Sequence, residues 1–168
     1  MGESPSVKFL GLLRVLLRHG ADFFVVGGVA AQLEGAPILT LDLDVLYSKA
    51  PENLDRLLAA LRELKARYRD PAGRYIEPDL GKLETMRTHL LLTELGALDV
   101  LSAIGNGFTY QDLVSRTVSY ELGEMRVRVL ELAAVIESKK QANRDKDRAA
   151  LPILLQTLAM KDRLKKDK

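Results

Sequence analysis

The pattern of apolar and polar positions along the chain predicts a mixture of helices and strands. Apolar residues recur with helical spacing after Ser4-Pro5 and stop at Gly20, which indicates an opening helix. Short apolar or alternating runs predict strands. We expect strands at 23–26, 41–47, 74–76, 85–93, 97–102, 118–122 and 125–130. We expect helices at 29–33, 51–69 and 110–116, and from residue 131 onward with a break near Asn143.

These elements together predict an α+β fold, in which a mixed β-sheet is flanked by helices and followed by a helical C-terminal segment. The length of 168 residues fits a single domain. Within it, residues 1–130 supply the sheet with its helices and residues 131–168 supply the C-terminal helices.

Composition narrows the classes of protein to consider. Hydrophobic residues make up 47% and charged residues 29% of the chain, which is typical of globular proteins. No apolar run approaches the ~20 residues that span a bilayer, and the N-terminus lacks a basic signal region, so we expect a cytoplasmic protein. The absence of cysteine excludes disulfides and thiolate metal sites. A net charge of +2 does not by itself indicate nucleic-acid binding.

Two aspartates, Asp42 and Asp44, lie one residue apart within an apolar run. On a strand they project to the same side, whereas the alternate residues Leu41, Leu43 and Val45 face the core. Two carboxylates held this close repel each other unless a cation lies between them. Such a pair is suited to Mg²⁺, including the two-ion arrangement used in nucleotidyl transfer.

A double glycine, Gly27-Gly28, separates the first predicted strand from a short helix. Glycines at such a turn leave the backbone N–H groups uncovered and suit phosphate binding. Asp99, in the middle of a later apolar strand, is the candidate for a third carboxylate.

Each of these features has an alternative interpretation. The glycines could form an ordinary turn, the aspartates could lie on an exposed side of a strand, and Asp99 could pair structurally with Arg87 or His89. We interpret His89 as a hydrogen-bonded strand residue.

These motifs resemble a known family. Val26-Gly27-Gly28 followed by Leu41-Asp42-Leu43-Asp44-Val45 resembles the hG[GS]…Dh[DE]h signature of the DNA polymerase β-like nucleotidyltransferase superfamily. FFVVGG, the LEG-P-x-x-T-LDLD spacing, the isolated Asp99 and LAAVIESKKQANRDKD resemble its small AbiEii-type branch, which contains abortive-infection toxins.

The resemblance implies the nucleotidyltransferase fold and specific residue roles. The implied catalytic residues and ligands of two Mg²⁺ ions are Asp42, Asp44 and Asp99, with Asp99 as general base. The implied nucleotide-binding residues are Gly27, Gly28, Thr40, Lys139 and Arg144. On the C-terminal helices, the resemblance favours Lys139 over Lys140, and Arg144, Lys146 and Asp147 match the R-x-K-D element of that branch. The alternative for Arg144 and Asp147 is an inter-helix salt bridge alone.

The implied reaction transfers a nucleoside monophosphate from a nucleoside triphosphate to a hydroxyl on an RNA, a protein or a small molecule. The toxin-like branch also implies a cognate antitoxin as partner. One departure supports an alternative: relatives often carry an arginine before the first aspartate, and this chain has Ile38-Leu39-Thr40. Either Arg14, Arg87 or Arg144 replaces that cation, or nucleotide affinity is weak. The rival function is that of an inactive nucleotide-binding or antitoxin-like member of the fold.

Overall fold

The computed structural model describes residues 7–167, so the predicted helix start at Ser4-Pro5 lies outside the described residues. The helices are α1 (Val7–Arg18), α2 (Gly27–Leu33), α3 (Pro51–Glu63), α4 (Leu80–Thr85), α5 (Tyr110–Leu113), α6 (Leu132–Ala142) and α7 (Asp145–Lys166), and a 3₁₀ turn (Val114–Arg116) follows α5. The strands are β1 (Phe23–Val26), β2 (Leu43–Tyr47), β3 (Arg67–Tyr68), β4 (Thr88–Thr93), β5 (Gly96–Leu101), β6 (Ala103–Ile104), β7 (Phe108–Thr109), β8 (Thr117–Leu122) and β9 (Met125–Leu130).

Seven of the strands form one mixed sheet in the order β3-β4-β5-β2-β1-β9-β8. The β2–β5 and β1–β9 pairs are parallel, and the other neighbours are antiparallel. Strands β6 and β7 form a separate hairpin. The predicted α+β fold, with a helical C-terminal segment, is confirmed. Among residues 7–167, no helix is both long enough and apolar enough to cross a membrane.

The core lies along the central strands of this sheet. Val25, Val45 and Val100 are neighbours in register across β1, β2 and β5, and all three are fully buried. Helices α1 and α3 pack against each other, while α2 packs on α6 and α6 on α7. Since burial of apolar side chains dominates the stability of such a sheet, β2 and β5 are rigid supports for any side chain they carry.

The helix predicted for residues 51–69 ends early, at Glu63. Lys65 adopts a left-handed conformation with φ of 52°, and the Ala66 N–H bonds back to the Leu61 carbonyl. The chain then pairs with β4 as the short strand β3. Residues 74–76 are not a strand, so that prediction is wrong. The available strand edge, which is a tertiary feature, outweighs the helical pattern of residues 64–69.

The second strand also starts later than predicted, at Leu43 instead of residue 41. Leu41 is 80% exposed, so the prediction that it faces the core is wrong. The Thr40 hydroxyl donates to the Asp42 carbonyl at 3.1 Å, and the chain bends there before it enters the sheet. Helix α4 and the β6–β7 hairpin were not predicted.

Candidate active site

Two parallel strands bring two of the predicted carboxylates together. Asp44 on β2 and Asp99 on β5 are direct partners in the strand register, and their carboxyl groups lie close enough to shift each other's pKa. Neighbouring strands lie ~4.8 Å apart, so side chains that project to the same side of both strands meet. Asp42, just before β2, is close enough to act on both groups electrostatically.

The charges of these three groups are incompletely balanced within the protein. Burial, followed by the negative charges of Asp99 and Asp42, raises the pKa of Asp44 to about 8. Burial also raises the pKa of Asp99, against the opposing effect of a nearby arginine. The Oδ1 atom of Asp44 is buried and has no hydrogen-bond partner in the described part of the chain. A buried acceptor without a donor is costly, so this position favours a cation.

Arg69, which follows β3, reaches into this carboxylate cluster. Its backbone N–H bonds to the Leu90 carbonyl at 2.9 Å, which anchors it at the edge of β4. Its guanidinium donates to Asp99 Oδ1, and Nη1 lies 3.6 Å from Asp42 Oδ2. Arg69 therefore links two of the acids. Sequence reasoning missed it, because the segment was assigned to the helix that begins at Pro51.

Of the three arginines considered as substitutes for the missing cation, two lie outside the cavity that holds the acids. Arg14 is exposed on α1, and Arg87 donates to the Gly105 carbonyl at 2.6 Å. Arg144 faces the same cavity as the acids but pairs with Asp147.

Within residues 7–167, Asp99 forms no hydrogen bond or ion pair with Arg87 or His89, its proposed structural partners. His89 is buried and hydrogen-bonded to two tyrosines, which confirms its interpretation as a structural residue.

The double glycine lies directly beside the acids, because Val26 is the register partner of Asp44. Gly27 has φ of 65°, which favours glycine, and a Cβ atom there would collide with the Asp44 carboxylate. A Cβ on Gly28 would lie 2.8 Å from the Thr40 side chain. Both positions therefore require glycine, and both backbones line the cavity next to the acids.

Basic side chains from α6 and α7 line the opposite side of this cavity, whose volume is about 280 Å³. Lys139, Arg144 and Lys146 line it, whereas Lys140 does not. Asp147 is fully buried and positions two of these cations: it accepts from Arg144 Nε at 2.7 Å and lies 3.5 Å from Lys139 Nζ. Burial opposes ionisation of Asp147, but hydrogen bonds from Arg144 keep its pKa below the usual range.

The donor set of the cavity suits a hard divalent cation, since carboxylate oxygens are the ligands that Mg²⁺ prefers. With Arg69 inserted between Asp42 and Asp99, no group of three acidic or histidine side chains in residues 7–167 is arranged to hold a metal ion. The unpartnered Asp44 oxygen nevertheless fits a cation. Asp44 therefore offers a ligand to a divalent ion, and the guanidinium of Arg69 competes with that ion for Asp42 and Asp99.

Known structures with the same architecture are nucleotidyltransferases. The lincosamide antibiotic adenylyltransferase LnuA, solved with lincomycin bound, matches with a TM-score of 0.63 and 9% identity, over 93% of this chain and 99% of that chain. A putative nucleotidyltransferase, TM1012 from Thermotoga maritima, gives 0.56 and 17% over 89% and 93%. The antibiotic-resistance factor ANT(2'')-Ia gives 0.56 and 13% over 92% and 86%. At these identities the likeness establishes the nucleotidyltransferase fold.

Sequence comparison adds no closer relative. No family model matches this chain, and no curated protein matches it.

Proposed function

We propose that this protein is a Mg²⁺-dependent nucleotidyltransferase, which transfers a nucleoside monophosphate from a nucleoside triphosphate to a hydroxyl acceptor. One observation carries the proposal: on a nucleotidyltransferase fold, Asp42, Asp44 and Asp99 meet in one cavity beside a glycine corner and a basic side. A merely structural cluster has no use for three acids with an unpartnered buried oxygen.

The triphosphate is assigned to the side of the cavity formed by the glycines and the C-terminal helices. Gly27 and Gly28 allow the phosphates to approach the backbone without obstruction, and Thr40 lies beside them. Lys139 and Arg144 supply positive charge, and Arg144 offers donors in the planar geometry that matches phosphate. Asp147 orients both cations, so they need little reorganisation when the nucleotide binds.

The acids are assigned to metal binding and proton transfer. Asp42, Asp44 and Asp99 would hold Mg²⁺, and two ions when bound neutralise the phosphates and lower the pKa of the acceptor hydroxyl. Asp99 accepts the hydroxyl proton, the acceptor oxygen attacks the α-phosphorus in line, and pyrophosphate leaves with the bonding electrons. Arg69 contacts Asp42 and Asp99, so its guanidinium would compete with a metal ion at these acids.

The test is nucleotide transfer by the purified chain with α-labelled triphosphates and Mg²⁺. Replacing Asp42 and Asp44 by alanine removes the proposed ligands, so label transfer and Mg²⁺-dependent nucleotide binding fall to background. The matched control, Asp55→Ala with Asp162→Ala, removes two exposed acids and keeps both activities. Transfer that survives in the Asp42/Asp44 variant excludes this mechanism.

The acceptor and biological role follow from resemblance. Two of the similar structures are an adenylyltransferase of lincosamide antibiotics and an antibiotic-resistance factor, which makes a small hydroxylated molecule one acceptor class. The resemblance to the AbiEii-type branch suggests a toxin with a cognate antitoxin, acting on RNA or protein. Growth arrest on expression that depends on Asp42 supports the toxin role, and harmless expression counts against it.

A second candidate is a nucleotide-binding protein of the same fold without turnover. The observation in its favour is Arg69, which already neutralises two of the acids. Thermal unfolding with each triphosphate and Mg²⁺, followed by a pyrophosphate assay, separates the two functions. Stabilisation without pyrophosphate release, across acceptors of all three classes, favours the binding protein.

A further inference from the structure

A second cavity lies on the other side of the β6–β7 hairpin. Its volume is about 520 Å³, within the range of small-molecule sites. It is bounded by the ends of β2 and β5 and by the segments that lead into α3, β4 and α5. Ile104 and Gly105 in the hairpin line the catalytic cavity, whereas Ala103 and Thr109 line this one, so the hairpin separates the two.

The second cavity is positively charged. Its lining contains Lys49 and Arg87 and no carboxylate. Neither cation has a salt bridge within residues 7–167; Lys49 Nζ donates to the Glu84 carbonyl at 2.8 Å, and Arg87 Nη2 to the Gly105 carbonyl. Each therefore keeps further N–H groups for a ligand. These backbone bonds also hold the two cations in place, which reduces the entropy lost on binding.

Other polar groups converge on the same space. Ser48 and Ser102 line it from the ends of the two central strands, and Ala50 places the N-terminal end of the 13-residue helix α3 at its edge. A helix N-terminus favours negative charge. Two cations, hydroxyl groups and a helix N-terminus, without a lining acid, are the chemistry that recognises a phosphate group.

We propose that this cavity binds a small organic phosphate, through Lys49 and Arg87, at a site separate from the nucleotide cavity. The proposed phosphate contacts both cations, and the rest of the lining, which exposes more apolar than polar surface, accommodates an organic body about the size of a sugar. Since the site shares no lining residue with the nucleotide cavity, the proposal does not depend on nucleotidyl transfer.

The probe is ribose 5-phosphate, titrated into the ¹⁵N-labelled chain in EDTA and without triphosphate, with ribose as the neutral counterpart. EDTA removes divalent ions that would carry a phosphate into the cavity with the three acids. We expect saturable binding at millimolar concentration, amide shifts at residues 48–50 and 102–103, and no binding of ribose. Absence of binding, or shifts centred on Gly27 and Gly28, overturns the proposal.

Variants identify the ligating groups. Charge-assisted hydrogen bonds are stronger than neutral ones, so Lys49→Gln with Arg87→Gln raises the dissociation constant at least about tenfold. Lys49→Gln alone leaves the Arg87–Gly105 bond intact and raises it at least about threefold. The control Lys140→Gln with Arg163→Gln removes two exposed charges outside the cavity and leaves affinity within about twofold. Equal affinity in all variants overturns the proposal.

Discussion

At the scale of single residues, the candidate site is a balance between three acids and the cations that approach them. Asp44 faces two other carboxylates and has an unpartnered oxygen, and Arg69 contacts the other two acids. Like charges at such distances are relieved by protonation of one acid or by a cation. The site therefore costs stability, and a cation bound there would offset that cost.

Arg69→Met tests this balance. Without the guanidinium, Asp42 and Asp99 lose their positive neighbour, so we expect the metal-free protein to lose about 1–2 kcal/mol, since the side chain is partly exposed. In a chain of this size that lowers Tm by about 2–8 °C. Added Mg²⁺ restores more stability to the variant than to the parent, because no guanidinium competes with it.

The measurement is thermal unfolding of both proteins with and without Mg²⁺. Arg62→Met, which replaces an exposed arginine of α3, is the control and changes neither the Tm nor the stabilisation by Mg²⁺. Equal stabilisation of parent and Arg69→Met by Mg²⁺ contradicts competition between the arginine and the metal.

Gly27→Ala tests the glycine corner. The residue has φ of 65°, and an added methyl group meets the Asp44 carboxylate. The appropriate control is Gly73→Ala, because Gly73 has φ of 73° with open space around it. Both variants carry backbone strain of about 1–2 kcal/mol, and only Gly27→Ala also displaces an acid of the site. We expect equal or greater loss of stability at Gly27, and loss of nucleotide binding there alone.

Isothermal titration calorimetry with triphosphate and Mg²⁺ measures the loss of nucleotide binding. If Gly73→Ala weakens nucleotide binding as much as Gly27→Ala does, backbone strain alone explains the loss. The close approach of residue 27 to the Asp44 carboxylate then has no role in nucleotide binding.

At the scale of elements, buried polar side chains connect strands and helices in addition to the contacts of the apolar core. His89 on β4 joins two neighbours: its Nε2 lies 3.1 Å from Tyr47 Oη, and its Nδ1 lies 2.7 Å from Tyr68 Oη. Since Tyr47 donates its own hydrogen to the Leu83 carbonyl, Nε2 donates to Tyr47 and Tyr68 donates to Nδ1. This arrangement fits the neutral imidazole that burial favours, and it holds β3, the strand that Arg69 follows.

The neutral His89 makes stability depend on pH. Burial lowers its pKa from the ordinary value of 6.5, so below pH 6.5 the unfolded chain binds a proton that the folded chain does not. The stability that His89 contributes is therefore complete above pH 6.5 and decreases as the pH falls below it. We expect the free energy of unfolding to decrease by about 1 kcal/mol more between pH 7 and pH 5 in the parent than in His89→Gln.

Urea unfolding at several pH values measures how the free energy of unfolding depends on pH. His19→Gln removes the other histidine, which lies on the surface near Glu63, and serves as the control. Parallel pH profiles for the parent and His89→Gln contradict a neutral buried imidazole.

At the scale of the whole molecule, the C-terminal helices are joined to the sheet through one buried acid. Glu34, at the end of α2, accepts hydrogen bonds from Tyr120 on β8, the Leu132 N–H of α6 and, at 2.7 Å, Lys161 of α7. Its side chain is 6% exposed. Because α6 and α7 also carry Lys139 and Lys146 of the cavity that holds the acids, we expect this junction to affect how these cations face the acids.

Glu34→Gln weakens the junction. Bonds to a buried charged group contribute more than neutral ones, so we expect a loss of about 1–3 kcal/mol at neutral pH. Burial opposes ionisation, but Lys161 and Tyr120 hold the pKa of Glu34 below its ordinary value. The contribution of its charge is therefore lost as the pH falls through that lowered pKa, and the difference between variant and parent decreases in acid.

Hydrogen exchange and thermal unfolding test this expectation. Faster exchange along α7 together with weaker nucleotide binding supports the role of the junction. A deficit in stability that is constant from pH 7 to pH 3 contradicts a charged Glu34.

The sequence by itself determined the features that depend on local pattern. Apolar periodicity located β1, β9 and α6, and Asn143, with φ of 51°, breaks the C-terminal helices where predicted. The glycine pair and the acids Asp42, Asp44 and Asp99 were identified because glycine and aspartate are out of place in apolar strands unless something specific requires them. These signals are local because each depends on a residue and its near neighbours along the chain.

The tertiary structure decided which distant residues meet. Arg69 reaches the acids only because the chain leaves α3 at Glu63 and pairs as an edge strand with β4, and nothing in the helical pattern of residues 51–69 predicts that. The register of β2 against β5, the second cavity with Lys49 and Arg87, and the Glu34 junction are equally non-local. Strand pairing and side-chain contacts depend on the packing of the whole chain, and local propensity does not encode them.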